Sequence, residues 1–120
     1  MQQAEAFITA AELVLNDDAN VATPGVAAAL GALAGIAASD AVCCTKLRQR
    51  PRGHNHREAV TLLRTVAAHG EAMANDLARL LVAKDESHYG LGLVNLGQAR
   101  RLLGYAPRMT TMAAAVLAGS

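Results

Sequence analysis

GVAAALGALAGIAASDAVCCTKL, residues 25–47, is the stretch on which the fold turns. It is long, apolar and built mainly from alanine and glycine, with few β-branched residues and no aromatic ring, so it reads as helix rather than strand. At helical spacing Leu33, Ile36, Asp40, Cys43 and Leu47 share one stripe, which sets a carboxylate among residues expected to be buried. A second stretch answers it. Leu77, Leu80, Leu81, Lys84 and His88 also fall on one stripe, placing a lysine and a histidine on an apolar face. An isolated charge in a core is costly unless it is paired or neutralised. Two packed helices with Asp40 meeting Lys84 are therefore expected, either as a structural ion pair that fixes register or as a pair that positions a ligand or reacting group.

The 120 residues suit one domain with a single modest core. Alanine supplies close to a quarter of the chain and aromatics only 2%, which favours closely spaced helices over a sheet. The expected architecture is all-α: a four- to five-helix antiparallel bundle occupying residues 1–120. Net charge is +1, so overall charge argues for neither nucleic acid nor membrane surfaces. The apolar run has the length of a membrane span, yet its alanine and glycine content and its internal Asp40 point to a core helix. The opening MQQAEAF is polar and acidic, unlike a secretory leader. A soluble, cytoplasmic protein with no membrane association is the expectation.

Taken in order, a first helix is expected over 3–16, with Phe7, Ile8, Ala11, Val14 and Leu15 inward. Thr23-Pro24 reads as a cap followed by proline in the first turn, opening a helix that runs to about residue 48 before Pro51 and Gly53. A flexible basic loop follows at about 48–55. Asn55, with Glu58 three residues on, opens a third helix carrying Ala59, Leu62, Leu63 and Val66. His69-Gly70 turns the chain into a fourth helix over 71–87. Asn95 opens a fifth with Ala99, Leu102 and Leu103, which Gly104 and Pro107 are expected to bend or interrupt. The segment 107–120 is left either mobile or docked on a partner.

Two constellations besides the Asp40–Lys84 pair could carry chemistry. At the end of the fourth helix Lys84, His88 and Tyr89 could hold a phosphate, move a proton and stack on a base. The plainer alternative is a histidine favoured by the helix C-terminus and a tyrosine at the core edge. Between 46 and 57 lie Lys46, Arg48, Arg50, Arg52, His54, His56 and Arg57 with no acid among them. Such a patch neutralises phosphates, faces an acidic protein surface, or is a solvated loop. Adjacent Cys43 and Cys44 point about 100° apart on a helix and read as two buried free thiols. No spacing suits a zinc site, so neither a metal nor any other cofactor is expected.

AGIAASDAVCC, then NHREAVTLL, then LARLLVAKDESHYG resembles a group of small actinobacterial-type helical proteins related to the HEPN superfamily, over residues 4–101. The resemblance implies a helical bundle, a homodimer, and a place in toxin–antitoxin or other defence modules. Catalytic members of that superfamily are metal-independent ribonucleases with an arginine, four to six residues, then a histidine often followed by tyrosine. Here Lys84 stands where the arginine would be, only three residues before His88. Arg48 with His54, and Arg50 with His56, have the right spacing but fall in the loop.

These readings converge on a non-catalytic interaction protein, the antitoxin or accessory subunit of a toxin–antitoxin-type module, bound to a toxin encoded by a neighbouring gene. The competing expectation is a metal-independent endoribonuclease using His88 and Lys84, or a protein that binds RNA without cutting it.

Overall fold

A computed structural model describes residues 1–15, 23–49, 56–89 and 96–119, the side chains at 15, 23–25, 83–89 and 96 apart. Among the described residues the chain is all-α: α1 (Gln2–Leu15), α2 (Thr23–Val42) continued by a π-helical turn (Cys43–Leu47), α3 (His56–Arg64), α4 (Gly70–Tyr89) and α5 (Leu96–Ala118).

α2 is the central element and touches each of the other four helices. Its role follows from its composition. With apolar residues all round and almost no bulk, it suits a position enclosed by neighbours. Ala27, Ala28, Ala32, Ala34, Ala38, Ser39 and Val42 are all buried. The larger stripe expected to lead inward is less covered: Leu33, Ile36, Asp40 and Leu47 are half-buried, and only Cys43 is fully enclosed. Small residues won because they let neighbouring helices approach closely. A Cβ on Gly35 would stand 2.9 Å from Leu80 Cδ1, and one on Gly31 would stand 3.3 Å from Leu103 Cδ2.

Gly31 lies against Leu80 and Gly35 against both Leu80 and Leu77, so α2 and α4 run antiparallel. That register carries Asp40 and Lys84 away from each other, to positions roughly 14–20 Å apart along the helix axes at 1.5 Å per residue, depending on which of these contacts is taken as level. The Lys84 side chain itself lies outside the described residues. The stripe of α4 matches its periodicity: Met73, Leu77, Leu80 and Leu81 are all buried. α3 matches in part: Ala59 and Leu63 are in the core and Leu62 is half-buried, while Val66 is buried just beyond the end of the helix.

The main departure is at the C-terminus. Pro107 sits inside α5, which continues unbroken to Ala118, and Met109, Ala113 and Val116 are buried. Pro107 is exposed, so its ring takes no place in the core, and the helix loses there only the one N–H that would have bonded the Leu103 carbonyl. Two threonines beyond it bond back one turn: Thr110 Oγ1 donates to the Ala106 carbonyl, and Thr111 Oγ1 donates to that of Pro107 at 3.0 Å, a pattern that bends a helix without ending it. Apolar anchoring on both sides then outweighs the break.

Candidate binding site at the α4–α5 seam

Asp76 is the one carboxylate or cationic side chain that is wholly enclosed among the described residues. It lies on α4 three residues after Met73 and four before Leu80, on the face that meets α5. A carboxylate in that position must be hydrogen-bonded and charge-compensated. Arg108 of α5 does most of this: its Nε donates to Oδ2 at 2.9 Å and its Nη2 donates to Oδ1. Arg79, one turn along α4, donates from Nη1 to Oδ1 at 3.2 Å. The paired contact from Arg108 fixes the guanidinium plane as well as its charge. Hydrogen bonding to Asp76, and then its charge, raise the Arg108 pKa above its ordinary value.

Tyr105 completes the arrangement. The guanidinium carbons of Arg79 and Arg108 lie 5.1 and 5.3 Å from its ring centroid, within cation–π range. While Asp76 is fully buried, the side chains of Arg79 and Arg108 are 51% and 57% exposed. Arg101 sits one helical turn before Tyr105 on the same stripe of α5 and is also exposed. The result is a surface of one aromatic ring and three arginines, two of them held from beneath by a carboxylate that water cannot reach. A guanidinium has five N–H donors; Asp76 takes two from Arg108 and one from Arg79, leaving the rest for an external acceptor.

The residues singled out in the sequence are placed elsewhere. Lys46 is half-buried in the π-turn, and Arg48 caps it, exposed, in the left-handed region at φ 54°. His56 is half-buried at the start of α3, and Arg57 beside it is exposed. Arg50, Arg52 and His54 lie outside the described residues, as do the side chains of Lys84, His88 and Tyr89. The backbone places Lys84, His88 and Tyr89 on the last turns of α4. Asp40 is half-buried on α2. The two thiols separate: Cys43 is buried and Cys44 is exposed, because neighbours about 100° apart cannot both face one core. No group of three or more His, Cys, Asp or Glu suited to a metal ion occurs among the described residues.

The seam cluster was missed in the sequence although half of its signal was there. Asp76 breaks the Met73–Leu77–Leu80 face and has Arg79 three residues on, which reads as an acid on an inward stripe with a local cation. Its chief partner is 32 residues away. No family model, curated protein or solved structure matches the chain.

Proposed function

We propose that the chain is a non-catalytic helical-bundle interaction protein that presents Arg79, Arg101, Tyr105 and Arg108 to an acidic surface of a protein partner. In this reading it serves as the antitoxin or accessory subunit of a toxin–antitoxin-type module, with the toxin encoded by a neighbouring gene. The observation that carries it is the two half-exposed guanidiniums anchored by a buried carboxylate over one tyrosine ring. Arginine and tyrosine are the residues that most often dominate interface energetics. Here their rotamer freedom is already restricted before a partner arrives, which lowers the ordering cost of association. The patch is compact and the chain carries only +1 overall, which suits a local acidic epitope better than the extended phosphate track of RNA.

The test is co-expression with the product of the adjacent gene, followed by affinity measurement on the purified pair. A stable complex that Tyr105→Ala and Arg79→Ala each weaken at least tenfold, with helix content retained, supports the proposal. Absence of a complex, together with chelator-resistant RNA cleavage lost in His88→Ala, overturns it in favour of the ribonuclease. That second reading draws on the continuity of α4 through Tyr89, which sets Lys84 and His88 one turn apart on a single helix.

A further inference from the structure

The arginine cluster is the middle of a longer strip along the α4–α5 seam. Asp76 bonds Arg108, and Arg79, three residues on in α4, lies over Tyr105, three residues back in α5. The two helices are therefore antiparallel, and one further step of three sets Val82 level with Leu102. Val82 is 47% exposed and Leu102 is half-buried. In the other direction Met112 follows Arg108 by one turn, half-buried, and stands level with exposed Ala72. From Val82 to Ala72 the seam thus reads apolar, cationic, apolar, over about 15 Å at 1.5 Å per residue. A lone exposed valine needs no explanation. This one continues the row on which Arg79 stands.

The middle of the strip has bonding capacity left over. Arg108 gives Nε and Nη2 to Asp76, and Arg79 gives Nη1, while both side chains stay about half exposed. Two cations over one buried carboxylate leave a net positive charge at the surface. Whatever covers the strip must bring an acid to its centre, bury apolar surface at both ends and keep its own backbone hydrogen-bonded. The described elements are all helices, so among the described residues there is no strand edge for an extended segment to pair with. A helix laid in the seam between two antiparallel helices meets all three requirements. Its residues at i, i+4 and i+8 share one face, about 6 Å apart.

We infer that the element docking on this seam is an amphipathic helix of a partner protein. It carries one acidic residue between Arg79 and Arg108, an apolar residue over Val82 and Leu102, and a second over Met112. This rests on the cluster being a protein interface, as proposed above, and adds which kind of element fills it.

The probe is a labelled, side-chain-stapled helix of about four turns, built on alanine and glutamine, with leucine, glutamate and leucine at i, i+4 and i+8. Fluorescence anisotropy with the full chain should show saturable binding. Replacing the glutamate by glutamine, or moving one leucine to the opposite face, should raise Kd at least about tenfold. Arg79→Gln should do the same and Val82→Asn should raise Kd at least about threefold, whereas Arg64→Gln, which removes an equal charge from α3, should change nothing. Circular dichroism checks helix content; should Arg79→Gln lose it, Val82→Asn carries the test from an exposed position. Absence of saturable binding, or equal affinity for the peptide with its leucine moved, overturns the helix. A short single-stranded RNA that displaces the probe at lower concentration than unlabelled peptide overturns the protein assignment. A neighbouring-gene complex weakened by Arg79→Gln but not displaced by the probe overturns the helix and leaves the interface standing. A complex unmoved by Arg79→Gln, with probe binding as expected, overturns the toxin–antitoxin reading and supports the helix site.

Discussion

α4 meets its two long neighbours in opposite ways. Toward α2 the contact is one of shape: Leu77 and Leu80 lie over Gly31 and Gly35, and the atoms nearest those glycines are side-chain carbons and a thioether sulfur. Toward α5 the same helix presents Asp76, and the contact closes through Arg108 and Tyr105. The first contact is sensitive to volume and indifferent to charge; the second is the reverse. A helix only 20 residues long thus divides its work, one face setting how near its neighbour can come and the other setting the lateral register. Shape complementarity tolerates sliding by a turn between rows of small residues. A buried carboxylate with one matching guanidinium does not, because every other register strands the charge.

The largest effect is expected where volume decides. Gly35→Leu would drive four carbons into Leu80, Leu77 and Met109, which a bare Cβ already meets at 2.9, 3.4 and 3.4 Å. These neighbours belong to different helices, so they cannot withdraw together. A loss of about 3 kcal/mol or more is expected, the upper end for overpacking, and chemical denaturation measures it. Gly35→Ala should cost far less, since the closest atom is the mobile end of Leu80 and alanine restores about 0.5–1 kcal/mol of helix propensity. Equal costs for the two variants would show that α2 and α4 are not in close contact.

The seam should respond asymmetrically to charge. Arg108→Met leaves Asp76 enclosed with only the more distant Arg79 for compensation, and about 2–3 kcal/mol is expected to be lost. Asp76→Leu removes the buried charge and releases two half-exposed arginines that water can solvate. That change should cost about 1 kcal/mol or less, even though it destroys the same ion pairs. Denaturant midpoints of the two variants decide the matter. If Asp76→Leu proves the more damaging, the carboxylate organises the seam through more than its charge.

What the sequence disclosed and what it concealed follow the same division. α4 was legible because large apolar residues alternate with polar ones, so its Met73–Leu77–Leu80–Leu81 stripe identifies itself. α2 was legible as a helix but not as to its face. When alanine and glycine occupy every side, burial is decided by the neighbours, and Leu33 and Ile36 were ranked above the smaller residues that are in fact enclosed. The rule that a core carboxylate needs a cation pointed to Asp40, one residue from the wholly buried Ser39, whereas the carboxylate it fits is Asp76. Local spacing finds Arg79, but Arg108 comes only with the packing of α5. The continuity of α5 through Pro107 was hidden for a similar reason, because it depends on which side of the helix the proline faces.

A smaller effect is expected from Cys43. Burial pushes its thiol above the ordinary value of 9.0, the nearby Ser39 hydroxyl draws it down, and the charges of Asp40 and Cys44 push it up again. The folded state therefore keeps the proton to higher pH than the unfolded chain does. Its contribution to stability is complete below about pH 9 and declines as pH rises through the folded value, by no more than about 1.4 kcal/mol per pH unit for one proton. Denaturation midpoints between pH 8 and 10.5 should fall for the wild type, with that component absent in Cys43→Ala. Thiol titration of the native protein should show Cys44 reacting first, being exposed.

The smallest change separates helix propensity from contact. Gly104 lies in α5 three residues before Pro107, and a Cβ built there meets nothing within 4 Å. Gly104→Ala therefore adds no clash at the seam, and it narrows the unfolded ensemble. It should stabilise the protein by about 0.5–1 kcal/mol, the opposite sign to any substitution at Gly35. The residue is adjacent to Tyr105, so the variant also probes the arginine cluster. If glycine serves only as a neutral spacer, partner affinity is unchanged while stability rises. If α5 must flex beside Pro107 for Tyr105 and Arg108 to engage a partner, the added stability comes with weaker binding, and the cluster is less preorganised than its geometry implies.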